Sequence, residues 1–325
     1  MQDYKVLVYN SPEKQQWNTF LSESNQQTFL FHRDFMDYHS DRFKDHSLMV
    51  YNEESLVALL PLNKVGDTVY SHQGLTYGGL IHKSVLKTED YILIFKAVLK
   101  FLSEQGVKSI TIKELPSIFL ENQTNNPLNY LCFKLNASLD RMDMHSTLDM
   151  RFKHYSRSRK NGYKRGEKNE LVVKEVEGFT EFWNKVLIPN LDIKHEVKPV
   201  HSLEEITLLK SRFPNQIRQF NVYHKEELVA GTTIFETNNV AHSQYISGNA
   251  DKNTLGSLDF LHQYLLDEVF IGKPYFNFGI SNTNEGQQIN QGLKYWKEGF
   301  GARSMSQGFY TIKTENYALL NDVLV

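Results

Sequence analysis

Hydrophobic and polar positions follow two rhythms along this chain, and they are clearest in its second half. Leu171-Val-Val-Lys-Glu-Val reads as a strand, and Phe179, Phe182, Trp183 and Val186 fall at helical spacing over Phe179–Leu187. Ser202-Leu-Glu-Glu has the form of a helix start, with Ser202 as N-cap and Glu205 reaching back to it, and Pro214 stops that helix near Phe213. Ile217–His224, Leu228–Thr237 and Val240–Gly248 read as three successive strands, the last two joined at Asn238-Asn239. A helix over about Gly256–Ile271 carries Leu258, Leu261, Leu265 and Val269 on one stripe. Tyr275–Ile280 is then a short buried strand, Ser281–Gln288 a polar loop, Asn290–Glu298 a helix and Met305–Lys313 a closing strand.

The first half runs through the same order. Tyr4–Tyr9 is expected as a strand, Pro12–Leu21 and Asp34–Phe43 as helices, and Leu48–Tyr51, Ser55–Leu62 and Asp67–His72 as three strands. A long helix over Glu89–Gln105, a strand at Ile110–Lys113, a weak helix at Leu128–Lys134 and a strand at Asp143–Met150 complete it. The order repeats although the residues do not. The expected class is α/β, built as two tandem domains, 1–150 and 151–325, each a mixed, mainly antiparallel sheet flanked by helices.

Charge sharpens that boundary. Of 36 Lys/Arg and 38 Asp/Glu in 325 residues, Arg151–Lys168 holds eight bases and one acid. The net charge of −2 gives no global electrostatic case for nucleic acid or an anionic membrane, so any such contact must be local. With 40% hydrophobic residues the chain can bury real cores. One cysteine, Cys132, excludes a disulfide framework and reads as a small core residue. The start Met-Gln-Asp-Tyr-Lys-Val-Leu-Val shows no signal-peptide pattern, and Leu56–Leu62 is too short to span a bilayer. A cytoplasmic protein is expected. The 12 histidines form no metal-ligand spacing, so no metal site is expected.

Three stretches carry a resemblance. They are Glu227-Leu-Val-Ala-Gly-Thr-Thr-Ile-Phe running into His242-Ser-Gln-Tyr-Ile-Ser-Gly, then Tyr275-Phe-Asn-Phe-Gly-Ile-Ser, then Gly292-Leu-Lys-Tyr-Trp-Lys-Glu-Gly-Phe-Gly-Ala. The third resembles the closing Phe-Lys-x-x-Phe-Gly of the Fem-like peptidoglycan aminoacyl transferases, with Trp296 in place of Phe. Tyr77-Gly-Gly-Leu in the first half resembles the Tyr-Gly-Gly of the same family. The resemblance implies tandem GNAT-like domains and an N-acyltransferase. It would move an acyl or aminoacyl group directly, without a covalent intermediate, onto an amine of a cell-envelope or polysaccharide precursor. The implied acceptor is a small or nucleotide-linked molecule, and the implied co-substrate is acyl-CoA or aminoacyl-tRNA. The oligomeric state is left open.

Acyl transfer to an amine needs a held carbonyl, a stabilised oxyanion and a proton acceptor. By resemblance Lys297 matches the family lysine linked to catalysis or to donor phosphate. Glu285 and Asp259 are the acid/base candidates near this end, each with the alternative of a surface or helix-start carboxylate, and Glu285 is the one carried forward. Asn277, Gly279 and Ser281, at a strand end, are candidate substrate contacts, because ligands gather at such loops in open sheets. Gln244 and Tyr245 lie on the third central strand, where strict alternation lets only one face a cleft. Arg212 and Arg218 are candidate phosphate ligands by position. One departure matters: Asn249-Ala-Asp-Lys-Asn-Thr-Leu-Gly-Ser lacks the glycine-rich loop with which acyl-CoA enzymes of this fold hold a pyrophosphate. The basic run, interleaved with Tyr155 and Tyr163, offers tRNA phosphates a footprint. It also leaves a second reading open, a non-catalytic nucleic-acid or nucleotide-binding protein on a degenerate GNAT scaffold.

Overall fold

The computed structural model describes the backbone of residues 4–195 and 198–325, and side chains outside 193–197. The chain divides into two compact units, and neither is a continuous stretch. Unit 1 holds the chain up to Asp143 together with Glu285–Gln287 and Ser306–Val325; unit 2 holds Met144–Asn284 and Gln288–Met305.

In unit 1, strands β1 (Tyr4–Val8), β2 (Leu48–Asn52), β3 (Ser55–Leu60) and a short edge strand, Ile81–His82, form an antiparallel sheet. β4 (Asn63–Val65) and β5 (Thr68–Tyr70) pair as a hairpin, and the Ile81–His82 strand is β6. β5 then runs parallel to β7 (Ser109–Lys113). Helices α1 (Lys14–Ser22) and α2 (Arg33–Met36) precede the first hairpin, and α3 (Thr88–Glu104) precedes β7. α3 turns Tyr91, Ile94, Phe95, Val98 and Leu102 inward at helical spacing. They form one core with Val6, Val50, Leu60 and Ile110, closed below by Leu131 and Cys132 of α4 (Leu128–Lys134).

β8 (Ser138–Asp149) spans the end of unit 1 and the start of unit 2. Unit 2 continues with α5 (Arg157–Lys168), β9 (Val172–Val176) and α6 (Thr180–Phe182), which widens into a π-turn over Trp183–Leu187 and resumes as α7 (Ile188–His195). α8 (Leu203–Arg212) carries the expected capping box, Ser202 Oγ accepting from Glu205 N–H and Glu205 accepting from Ser202 N–H. β10 (Ile217–His224), β11 (Glu227–Glu236) and β12 (Val240–Gly248) form an antiparallel meander with β9 outside it. After α9 (Lys252–Leu255) and α10 (Ser257–Tyr264), β13 (Tyr275–Ile280) lies parallel to β12 and antiparallel to residues 145–149 of β8. A small ribbon, β14 (Asn282–Thr283) and β15 (Gln288–Ile289), leads to α11 (Gln291–Glu298) and to β16 (Arg303–Lys313). Residues 309–313 of β16 pair with β7, so the last strand in sequence belongs to the sheet of unit 1. Phe220, Phe276, Phe278 and Phe300 with Leu261 and Leu265 make the core of unit 2.

Both units are thus mixed, mainly antiparallel sheets flanked by helices, the class expected. Three local expectations needed tertiary information. The helix expected over Asp34–Phe43 is one turn, Arg33–Met36, followed by a 3-10 turn, because His39 is drawn into a stack with Tyr38 (4.2 Å) and His72 (5.0 Å). The strand expected over Ser55–Leu62 breaks after Leu60 and resumes at Asn63. The helix expected over about Gly256–Ile271 starts as expected but widens into a π-turn over Leu265–Val269; Gly256 at its N-cap sits at φ +73, where a Cβ would lie 2.1 Å from the Gly162 carbonyl oxygen.

Candidate functional site

In unit 2, β12 and β13 share three rungs, Val240↔Tyr275 to His242↔Asn277, and then part. A bulge sits on each strand where they part. On β12, Tyr245 faces Thr233 and Ser243 faces Ile234, which makes Gln244 the extra residue. On β13 the register with β8 shifts between Asn277 and Ile280. Bulges re-aim strands and side chains, and two of them mark the rift here, meaning the stretch past the third rung where β12 and β13 are no longer paired. Gly279 borders it at φ +71, a left-handed conformation that favours glycine, and a Cβ there would lie 3.7 Å from His242 Cε1.

Lys297 closes the buried side. It is 2% exposed, and its Nζ donates to the carbonyls of Ile280 (2.6 Å) and Gly279 (3.2 Å). Burial, with a smaller contribution from the Lys294 charge, pulls its pKa down to about 7. Asn277 is the hub beside it. Its Oδ1 accepts from Gly279 N–H (2.8 Å) and from His242 Nδ1 (2.9 Å), and its Nδ2 donates to Thr147 Oγ1 (2.9 Å). With Nδ1 as the donor, the neutral His242 ring keeps its lone pair on Nε2. Burial, then the nearby His145, bring the pKa of His242 down to about 4, so the ring is neutral at pH 7. His145 Nδ1 lies 3.4 Å from the same Asn277 oxygen, and the Ser281 and Ser146 hydroxyls approach at 3.4 Å.

The sequence candidates are therefore dispersed. Lys297, Asn277, Gly279 and Ser281 come together, and Gln244 borders the rift with its Oε1 buried and without a partner of good geometry. Tyr245 is a packing residue: it meets Trp183 edge-on at 5.1 Å, and its hydroxyl bonds His201 Nδ1 at 2.6 Å. Glu285 is exposed in the turn between β14 and β15, at φ +51, and Lys297 makes its hydrogen bonds elsewhere. Arg212 is exposed in the last turn of α8. The Arg218 guanidinium is already engaged, bidentate to Glu175 (2.7 and 2.8 Å) and on Glu236 (3.0 Å).

His242, His145 and Thr147 were not singled out in the sequence. His242 lay inside a quoted stretch, but its significance depends on the three-rung pairing with β13, and Thr147 arrives on a strand more than a hundred residues away. Asp259 is structural: its carboxylate is buried, pairs with Arg159 and accepts from the Trp296 indole N–H at 2.8 Å. Desolvation raises its pKa against the Arg159 charge. This pair docks α5 on α10, where Gly162 and Gly166 leave room for Asp259 and Phe260. The opposite side of α5 exposes Arg157, Lys160, Lys164 and Lys168, a stripe of about 17 Å at 1.5 Å per residue. After β12, Asn249 Oδ1 takes the N–H of Asp251, which caps the four-residue α9. Cys132 is buried, and burial pushes its thiol up to about 12. Among the described residues no group of three or more His, Cys, Asp or Glu side chains could hold a metal ion, and no helix is long and apolar enough to cross a membrane.

No family model and no curated protein matches the sequence. Solved structures do. FemX superposes with a TM-score of 0.63 at 9% identity, over 98% of this chain and 99% of its own. The C-terminal domain of a protein named as a lysylphosphatidylglycerol synthetase from Agrobacterium fabrum gives 0.62 at 11% identity, over 96% and 94% of the two chains. L-PGS from Bacillus licheniformis gives 0.61 at 13% identity, over 95% and 93%. At such identities the likeness is one of fold, and it is nearly end to end: the chain shares the fold of FemX and of these two other proteins.

Proposed function

We propose that this chain is an N-acyltransferase that passes an acyl or aminoacyl group from an activated donor directly to an amine, with a cell-envelope or polysaccharide precursor as acceptor. The observation that carries the reading is Lys297, a buried amine with a pKa near neutrality, set where β12 and β13 part. In its neutral form both N–H groups are taken by the Gly279 and Ile280 carbonyls, which leaves the lone pair as the group offered to an incoming ammonium. Lys297 first takes a proton from that ammonium, the freed amine attacks the donor carbonyl carbon, and collapse of the tetrahedral intermediate expels the donor's oxygen or sulfur, which leaves with the proton the new amide nitrogen gives up. The protonated lysine favours the developing oxyanion. Asn277, Gly279 and Ser281 border the acyl group in this reading, and Gln244 faces it from β12. Glu285, Arg212 and Arg218 are left without a role.

Two features favour aminoacyl-tRNA over acyl-CoA as donor. Asp251 places a carboxylate in the turn where a pyrophosphate cradle is needed, and α5 offers a row of four cations to a phosphodiester backbone. The test is transfer to an amine acceptor from aminoacyl-tRNA and from acetyl-CoA, with wild type and Lys297→Ala. A fall of at least a hundredfold in kcat in the folded variant is expected; unchanged turnover removes Lys297 from the chemistry. Salt-sensitive RNA binding without transfer from any donor would favour the non-catalytic reading.

A further inference from the structure

A second cluster of charge lies in unit 1, and the transfer reaction does not use it. Lys113 ends β7, and its cross-strand neighbour on β16 is Phe309. Arg141, on the unit 1 part of β8, reaches the same ring. Its guanidinium lies 4.8 Å from the Phe309 centroid and Lys113 Nζ lies 5.4 Å from it. Two cations therefore lie against one aromatic ring.

Both side chains are held in place with donors to spare. The Lys113 backbone is pinned, its N–H donating to Ser71 Oγ (2.8 Å) and its carbonyl accepting from Gly78 N–H (2.7 Å). Its Nζ makes one hydrogen bond, to the Leu75 carbonyl at 2.7 Å, so two of its three N–H donors remain. Arg141 is fixed by two 2.9 Å bonds from Nε and Nη2 to Asp143, which leaves Nη1 directed elsewhere. Glu114, the residue just past β7, spends its carboxylate on Gly308 N–H and Asn129. Lys113, Arg141 and Asp143 thus sum to one positive charge, with the lysine largely shielded from water. Burial first, and then the Arg141 charge, pull the Lys113 pKa down to about 8, outweighing Asp143. A desolvated ammonium beside a guanidinium is relieved by an anion.

We infer that Lys113 and Arg141, which both lie against the Phe309 ring, form a binding site for an oxyanion, a phosphate or a carboxylate group, on unit 1. The site stands on this geometry whether or not Lys297 transfers an acyl group. A carboxylate or phosphate accepts from Lys113 Nζ and Arg141 Nη1 while the phenyl ring keeps water from one side, which strengthens both charge-assisted bonds.

The experiment titrates the full chain with sodium phosphate and, separately, sodium acetate against sodium chloride at matched ionic strength, reading the melting temperature. A saturable rise beyond the chloride control is expected, with phosphate alone marking a phosphoryl site and acetate marking a carboxylate site. Lys113→Met and Arg141→Met should weaken it at least tenfold. An NMR titration of the Lys113 amine in wild type is the second measurement, with its pKa moving above about 8 when the anion binds. A wild-type response equal to chloride, a Lys113→Met response equal to wild type, or a Lys113 pKa indifferent to the anion overturns the site. If Lys113→Met does not fold, the NMR titration decides alone.

Discussion

Replacing Lys297 with methionine separates what this residue does for stability from what it does for chemistry, because the two effects have opposite signs. Methionine keeps the volume and removes a buried charge. A lysine whose pKa is about 7 in the fold and 10.5 in the unfolded chain disfavours folding, while charged, by about 3.5 units or roughly 5 kcal/mol. Linkage gives the sign. Between pH 7 and 10.5 the unfolded chain holds the proton and the folded chain does not, so wild-type stability gained through this group rises with pH across that window. Methionine has no such dependence. Against this, the variant strips the Gly279 and Ile280 carbonyls of a donor, a loss of about 1–3 kcal/mol each that does not vary with pH.

The Lys297→Met variant should therefore match or exceed wild type in stability below pH 7 and fall below it near pH 10. Between pH 6.5 and 9.5 the difference between the two curves tilts by roughly 3 kcal/mol, the part of the full shift that this window spans. Urea unfolding at pH 6.5, 8 and 9.5 at constant ionic strength measures it, and the other lysines and tyrosines cancel in the difference because they are common to both proteins. Parallel curves would show a solvated ammonium at position 297, and the proton-accepting role would fail with the burial argument. Loss of transfer activity alongside a gain in stability at pH 6.5 is the signature of a charge kept for function.

Three further outcomes follow from contacts. Asp259→Ala leaves Arg159 buried without its carboxylate and the Trp296 indole without an acceptor, and should cost about 3–5 kcal/mol in thermal or urea unfolding; a loss under 1 kcal/mol would mean that α5 is docked by its glycines alone. Gly279→Ala should cost about 1–2 kcal/mol, for the left-handed backbone alone, whereas Gly256→Ala drives a Cβ to 2.1 Å from the Gly162 carbonyl and should lower the melting temperature far more; equal losses would refute the close approach. His242 and His262 are held neutral by burial with pKa values of about 4, so the stability they contribute is complete above pH 6.5 and is lost as pH falls from 6.5 to 4, by up to about 1.4 kcal/mol per pH unit for each. His262→Phe should flatten that acid slope in chemical unfolding, and an unchanged slope would place His262 in contact with water.

Much of this molecule was legible in the sequence where short-range rules govern it. The strands Ile217–His224, Val240–Gly248 and Tyr275–Ile280 appear at the bounds their alternation gives, and the Ser202/Glu205 capping box forms as written. What escaped is set by distant partners. Nothing local shows that β16 completes the sheet of unit 1, because that pairing joins residues about two hundred positions apart. Alternation assigned Gln244 and Tyr245 to opposite faces; a one-residue bulge is invisible to a period of two, and it is the bulge that shapes the rift. Arg159 looked like one more cation in a basic run, and only the Asp259 carboxylate on α10 shows it to be an anchor.

The repeated order also leads to two different arrangements, one in each unit. In unit 1, β5 and β7 share three parallel rungs, Thr68↔Ser109 to Tyr70↔Thr111, matching in number those between β12 and β13. Past the third rung the two designs differ. In unit 1 the chain fills its own gap: Ser71 N–H donates to the Thr111 carbonyl (2.8 Å), Ser71 Oγ takes the Lys113 N–H, and Gly78 N–H reaches the Lys113 carbonyl. Gly78 must be glycine for this, since a Cβ would stand 2.2 Å from the Ser71 carbonyl oxygen, and that requirement gives the Tyr77-Gly-Gly motif a structural meaning. Unit 2 is built differently at the same step. It places a bulge on each strand, the small Gly279 at the rim and a buried amine behind it. One element order used twice thus yields, past the third rung, backbone bonds that position Lys113 in unit 1 and a doubly bulged step beside the buried Lys297 in unit 2.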